Sequence, residues 1–396
     1  MAKVQTKGVT VSTKNKYIRY AVAAILLLVV ALSFSGQDIS SREIIVGVAV
    51  DYDQPNHLYQ VCAEVVSPGG GQDQQTGTFS KFITGEGATM EQAFTNMYAQ
   101  TGMTPSLGQC QILALGKSLY TSVNLKNVLA YFITYDSFKD NSNVCCIDGD
   151  AKDIIQTQMP LSKSLSLTLA QLFADKGETV GTISHTVNDF VKKQMEQTMC
   201  ACANLVSFLP DTQPIVEPNT TPAQGSYDCQ RQVVFKDFSY VATLNQQQSR
   251  GYTLLKKGSL GQIFIVSNDD ADGYQPIIAT VGIADKKVDA TCNQVDGAYC
   301  YNIDMDVLVR SVRTGQISKG GLLFPKSQPL LTKQILQQAK QQIQDDVHAF
   351  FKAQQANDVD VIDCYQHFYA KYKSSWDATL PLSAINFTVN VTVKED

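Results

Sequence analysis

The first 36 residues hold five basic side chains, Lys3, Lys7, Lys14, Lys16 and Arg19, no acidic one, and a single apolar run over 21–34, AVAAILLLVVALSF. No other feature constrains the chain so strongly. Such a run has no polar face to offer a water-soluble fold and partitions into a bilayer, while the short basic flank resists translocation. The chain beyond Gly36 therefore folds outside the cytoplasm. The 14 residues of the run suit a cleaved signal core, whereas about 20 are needed to span a hydrocarbon layer. Tyr17, Ile18 and Tyr20 extend it, and with Arg19 snorkelling to the interface the span reaches roughly 18 residues, enough for a retained anchor. Small residues at Ser33 and Ser35 also permit cleavage before Gly36. The reading is a basic cytoplasmic N-terminus over 1–16 and a transmembrane anchor or signal segment over 17–36, with both fates open.

The remaining 360 residues are enough for two or more substantial cores. Of 32 basic side chains five lie in the leader, leaving 27 against 37 acidic ones, a net charge near −10 on the exported part. That balance disfavours nucleic acid and anionic membrane faces as partners, since both ask for Lys/Arg patches. Ten cysteines in an oxidising compartment raise the expectation of core thiols plus one or two disulfides. Cys292 and Cys300 form the favoured local pair, across the loop NQVDGAY. Cys145-Cys146 and Cys200-x-Cys202 could supply four thiolates to zinc, but their spacing departs from the usual knuckles, and no metal or cofactor is expected.

Residues 209–228 carry Pro210, Pro214, Pro218 and Pro222 and few large apolar side chains, so they read as a linker. It divides an N-terminal domain over 37–208 from a C-terminal domain over 229–396. In the first, IIVGVAV (44–50) and LYQVCAEVV (58–66) read as neighbouring strands, Thr89 and Gln92 as a capping-box helix start, and QILAL (111–115) as a further strand. Helices are expected around LKNVLAYFITY, LSLTLAQLFA and ISHTVNDFVKKQMEQ. The second opens with QVVFKD, SYVATL and QIFIVS. A long strand comes next, in which Tyr301, Ile303, Met305, Val307 and Val309 alternate with polar residues. Ile335, Ala339, Ile343, Val347 and Phe351 mark one stripe of a long helix, and Ile385 to Val393 alternate strictly as a half-buried strand. Strands and helices do not alternate regularly, so the fold class is α+β, with mixed or antiparallel sheets packed by helices.

Catalytic patterns are scarce. The histidines His57, His185, His348 and His367 are scattered, with none spaced as a helical zinc pair, and His185 and His348 read as solvated helix residues. There is no GxSxG elbow. Gly116-Lys117-Ser118 ends like a phosphate loop, but the earlier glycine of that motif is replaced by Gln111. Asp304 and Asp306 read as alternate carboxylates on the wet face of a strand. No catalytic, cofactor-binding or metal-ligating residue is assigned, and an enzyme is not expected.

Several segments nonetheless keep a familiar order. SREIIVGVAVDYD (41–53), GEGATMEQAF (85–94), LGQCQILALG (107–116), GDAKDII (149–155), VVFKDFSYVATLNQQQSRG (233–251), DVDVIDCYQHFYAKYKSSW with Asp358, Tyr369 and Trp376, and INFTVNVTV occur along some 350 residues. Together they resemble the Ger(x)C spore germination proteins, the C-subunit family of nutrient germinant receptors. Turn conformations at Gly85 and Gly87, capping by Thr89 and packing by Trp376 make these positions fold determinants. The resemblance implies a non-catalytic subunit on the outer face of the spore inner membrane, joined to polytopic A-type and B-type subunits in a receptor that starts germination. Two departures stand out. The family carries a lipid-attachment cysteine shortly before the R-E-I segment, and SFSGQDISSREI has none, so the apolar segment must anchor the protein unaided. Where the family has a histidine before Cys110, this chain has Gln109. The alternative is an exported small-ligand binding module unrelated to sporulation, with a cell-envelope enzyme as a third class.

Overall fold

Continuous apolar runs without a two-residue period make up the centre of the larger sheet. The computed structural model describes residues 42–67, 79–101, 104–135, 138–139, 141–156, 164–174, 182–210, 225–267, 275–292, 298–314, 333–373 and 379–395, with Tyr20 and Val22. Apart from those last two residues the expected span over 17–36 lies outside this set, as does Trp376. No helix among the described residues is long and apolar enough to cross a membrane.

The elements of the first half are β1 (Arg42–Asp53), β2 (Leu58–Ser67), β3 (Phe79–Gly87), α1 (Met90–Thr101), β4 (Thr104–Ser106), β5 (Ile112–Leu115), α2 (Lys117–Ser122), α3 (Lys126–Thr134), β6 (Asn143–Ile147), α4 (Ala151–Ile155), α5 (Leu165–Ala174), α6 (Val187–Met195) and β7 (Cys200–Pro210). The second half continues with β8 (Gly225–Lys236), β9 (Ser239–Leu244), α7 (Gln246–Lys257), β10 (Ser259–Ser267), β11 (Gln275–Cys292), β12 (Tyr299–Thr314), α8 (Lys333–Asn357), α9 (Cys364–Tyr372) and β13 (Ile385–Glu395). The fold is mixed α+β. Among the described residues one sheet has the order β3-β2-β1-β5-β6-β7-β8-β9 with β4 beside β1, and a second has the order β10-β11-β12-β13.

In the larger sheet β1, β5, β6 and β7 are parallel, and the antiparallel pairs β2, β3 and β8, β9 flank them. Val48, Val50, Leu113, Leu115, Val144 and Cys146 pack on one face with Phe94 of α1, Phe132 of α3 and Phe190 of α6. Ala49, Ile112, Ala114, Cys145 and Ile147 pack on the other with Ala151 of α4 and Leu169 of α5. Burial on both faces removes any reason for alternation, which is why these strands read as unbroken apolar runs. Thr89 caps α1 as expected, its hydroxyl accepting from the Gln92 N–H at 3.2 Å while the Gln92 amide accepts from the Ala88 N–H. Gly85 and Gly87 do not form turns. They lie in β3 beneath α1, and a Cβ on Gly85 would sit 2.3 Å from the Ala93 carbonyl oxygen, so their smallness serves close helix packing.

The second sheet is buried on one side. Tyr301, Ile303, Met305, Val307 and Val309 of β12 and Ile385, Val389 and Val391 of β13 meet the α8 stripe of Ile335, Ala339, Ile343, Val347 and Phe351. On the wet side Asp304 accepts from the Asn390 amide at 2.8 Å and Asp306 pairs with Lys394 at 3.0 Å, cross-strand contacts of an exposed face. Asn245 and Gln248 form a full capping box on α7, and Gly258 at φ 79° closes that helix.

The proline-rich stretch, of which 211–224 lie outside the described residues, joins neighbouring strands. β7 and β8 pair from Cys200↔Lys236 to Pro210↔Gly225, so β8 and β9 complete the sheet built by the first half of the chain. Cys200, Cys202 and Val234 of that sheet also share a core with Tyr252, Phe350 and the second sheet. Glu43–Asp396 is one compact unit.

The disulfide expectation is overturned. No disulfide links the ten cysteines, and eight of them are buried. Cys292 lies opposite Tyr299 and Cys300 opposite Thr291, a one-residue offset that points the two side chains to opposite faces of the sheet. Burial lifts the Cys62 and Cys200 thiols to about 11 and those of Cys110 and Cys202 to about 12, so these act as small core hydrophobes.

Candidate functional site

Three segments far apart in sequence meet where the parallel strands end. Asp51, at the end of β1, accepts from the backbone N–H groups of Ala151 and Lys152 at 2.8 Å each, which binds it to the start of α4. Gly116 lies against it: a Cβ there would fall 1.7 Å from Asp51 Oδ1. Burial outweighs the two donors and raises the Asp51 pKa. Each carboxylate oxygen accepts from one backbone N–H of α4, so Asp51 ties β1, β5 and α4 together. Beside it Lys117 pairs with Asp148 at 2.9 Å, and the Lys117 hydrogen bond lowers the Asp148 pKa. The Gly-Lys-Ser sequence thus starts α2 and holds a carboxylate.

A second convergence involves residues 358–363. Lys236 reaches Asp358 at 3.2 Å, Lys193 reaches Asp363 at 2.8 Å and Lys256 reaches Asp363 at 3.6 Å. Asp360, 2 % exposed, accepts from the N–H groups of Cys364 and Tyr365 at the start of α9, and burial raises its pKa to about 6. A polar cleft of about 410 Å³ lies alongside, lined by His185, Asp189, Lys193, Cys202, Tyr252 and Lys256 among others. His185 is not a solvated helix residue. It precedes α6, stacks on Tyr252 with 6.2 Å between centroids and sets Nε2 3.3 Å from the Gln232 amide oxygen. Burial lowers its pKa to about 4, so it is neutral at pH 7. Lys193 and Lys256, two of the three lysines of this cleft, already have carboxylate partners, and Asp189 and Glu196 share its lining, so its charge is largely balanced from within.

The other histidines have local roles. His57 meets the Tyr52 hydroxyl at 3.2 Å, His367 meets the Tyr301 hydroxyl at 2.6 Å, and His348 is a half-buried residue of α8. Among the described residues no group of three or more His, Cys, Asp or Glu side chains is placed to hold a metal.

An apolar groove of about 530 Å³ lies between α3 and α6. Leu129, Phe238 and Gln194 form its buried floor, and Ile133 (40 % exposed), Met195 (76 %) and Met199 (40 %) stand on its walls. Lys126 and Asp237 lie on its rim. The Gln194 side chain fixes the floor: its amide donates to the Phe235 carbonyl and accepts from the Phe238 N–H at 2.7 Å. Large apolar side chains left in water on a concave surface, Ile133 from α3 and the thioethers Met195 and Met199 at and after the end of α6, are the pattern of an adaptable docking site. Sequence reading missed it because Ile133, Met195 and Met199 sit in helical or turn segments where apolar residues look like core.

Residues 35–208 match the family model described as the spore germination protein N-terminal domain, and residues 231–395 match that described as spore germination B3/GerAC-like, C-terminal. A solved structure titled "Crystal Structure of the GerBC protein" is 15 % identical, covering 88 % of this chain and 96 % of its own, with a TM-score of 0.48. No curated protein matches. With the two family domains lying in order over most of its length, the chain belongs to the Ger(x)C family of spore germination proteins.

Proposed function

We propose that this chain is the C subunit of a spore nutrient germinant receptor, held at the membrane by its own apolar segment and assembled with polytopic A-type and B-type subunits. Its role is to couple or assemble without turnover. The observation that carries this reading is the match of both germination domains, over residues 35–208 and 231–395. Geometry supports it: the motif residues Asp51, Gly116 and Ala151 hold elements of the fold together, and an apolar groove between α3 and α6 faces solvent. Without a lipid-attachment cysteine in SFSGQDISSREI, anchoring falls to the segment over 17–36.

The test is a pull-down of the tagged full-length protein from detergent-solubilised spore membranes, with its intact mass read in the same sample. Recovery of A-type and B-type subunits with residues 1–36 retained is expected. A soluble, partnerless protein beginning near Gly36 would sink the proposal and select the small-ligand module, for which the polar cleft beside His185 is the available site.

A further inference from the structure

Left-handed backbone at residues other than glycine persists only where the surroundings over-determine it, and such residues gather at segments that switch. Two of them, Asp358 at φ 48° and Asp363 at φ 64°, bracket the turn between α8 and α9. Lysines from three other elements hold the two ends. Lys236 of β8 donates to the Asp358 carbonyl at 2.6 Å and to its carboxylate at 3.2 Å. Lys193 of α6 and Lys256 of α7 reach the Asp363 carboxylate at 2.8 and 3.6 Å. Between these ends Val359, Asp360 and Val361 are buried, and the Val361 N–H donates to the Gln354 side-chain oxygen at 3.0 Å. The Gln354 Nε2, buried beside it, has no acceptor among the described residues, so the closed turn leaves a donor unsatisfied.

The turn is also one wall of the cleft beside His185. Val361 lines that cleft together with Cys200 of β7, and the Asp360 backbone bonds the Cys200 thiol, which is 2 % exposed. Release would strand few charges. Lys193 has a second partner, Glu196, at 2.6 Å, which does not depend on the turn. Lys236 and Asp358 are 39 % and 55 % exposed and already meet water. We propose that the turn over 358–363 is an electrostatic latch on the cleft: it opens as a unit when Asp358 and Asp363 let go of Lys236, Lys193 and Lys256, admitting solvent to Cys200 while both sheets stay folded. Lys193 belongs to the first matched germination domain and Asp363 to the second, so the latch lies on a contact between them.

The test reads maleimide labelling of the purified full-length protein at Cys200, resolved by peptide mass. Cys110 and Cys145 are the references, since they are buried in cores that the turn does not join. Asp363→Asn keeps a residue type that tolerates the left-handed backbone and weakens both lysine pairs at once. It is expected to raise the Cys200 rate at least tenfold, with Cys110 and Cys145 unchanged and cooperative thermal unfolding retained. Lys193→Gln combined with Lys256→Gln is expected to do the same from the other side. Because the pairs are partly exposed, raising NaCl from about 0.05 to about 0.5 M is expected to raise Cys200 labelling of the unmodified protein at least threefold. A Cys200 rate that rises only in step with Cys110 and Cys145 assigns its exposure to global unfolding and overturns the inference. A Cys200 rate that neither the substitutions nor salt change overturns it as well. The salt series needs no variant, so it decides alone if a variant fails to fold.

Discussion

At the scale of single residues, buried carboxylates carry the sharpest consequences. Asp360 has an unfolded value of 3.8 and a folded value of about 6, so between those pH values the native state binds the extra proton and stability falls as pH rises. About two pKa units correspond to roughly 3 kcal/mol, present below pH 4 and gone above about 6.5. Asp148 and Asp358, both lowered, act in the opposite sense and below pH 4, where protonation removes their stabilisation. Asp360→Asn is expected to flatten the fall between pH 4 and 6.5 in urea-unfolding free energies, while costing about 1–2 kcal/mol near pH 4, where the native carboxyl is neutral in the folded state, through a weakened cap on α9. An unchanged slope would assign the pH dependence to Asp51 and Asp346, which are raised in the same direction. Gly116→Ala places a methyl 1.7 Å from Asp51 Oδ1 and must displace that carboxylate from α4. A loss of about 2–4 kcal/mol is expected, and because Asp51→Ala breaks the same junction, the double variant should lose little more than either single one. Additive losses in a double-mutant cycle would contradict a shared junction. Asp51 and Gly116 were legible as motif positions, yet nothing in the linear order says that residues 65 apart touch.

At the scale of elements, β13 is an edge strand protected by side chains from α8. The Gln344 amide donates to the Val389 carbonyl at 3.2 Å and the Gln355 amide to the Ile385 carbonyl at 2.8 Å. The two glutamines are 11 residues apart, close to three helical turns, and so lie on one stripe of the helix. An 11-residue edge with strict alternation is a template for further pairing unless its backbone groups are occupied. Replacing both glutamines by alanine is expected to cost about 1–2 kcal/mol and to produce concentration-dependent self-association in sedimentation velocity. A monodisperse double variant would show that the edge is protected by other means. β13 and the α8 stripe were readable because each has one wet face, which imposes a period. β6 (NVCCI) and β7 (CACANLVSFLP) were not, because burial on both faces erases the period and leaves runs that length and β-branching do not separate from core helix. The α3–α6 groove escaped for the converse reason: its methionines and Ile133 are exposed, and hydrophobicity alone assigns such residues to the interior.

At the scale of the whole molecule, the boundary between the two germination domains falls inside a sheet. The first matched segment ends at residue 208 and the second begins at 231, yet β7 and β8 on either side of that gap are paired neighbours. Val233 and Phe235 of β8 are fully buried, and with Phe238 after it they close the core under α3 and α6. Burial of such side chains stabilises by about 1.5–3 kcal/mol each, so omitting β8 removes an amount comparable with the roughly 5–15 kcal/mol that holds a typical domain folded. It also uncovers β7 as a long apolar edge. A fragment over 42–208 should therefore be unfolded or aggregated, and one over 42–245, which keeps β8 and β9, should regain native-like near-ultraviolet circular dichroism and a cooperative urea transition. If 42–208 folds cooperatively and 42–245 gains nothing, the first domain is independent of the strands beyond the proline-rich stretch, and the contacts between β7 and β8 would be a docking of two finished units. If the longer fragment alone folds, the stretch is a connection within one sheet, and β8 and β9 belong to the folding unit of the first half of the chain.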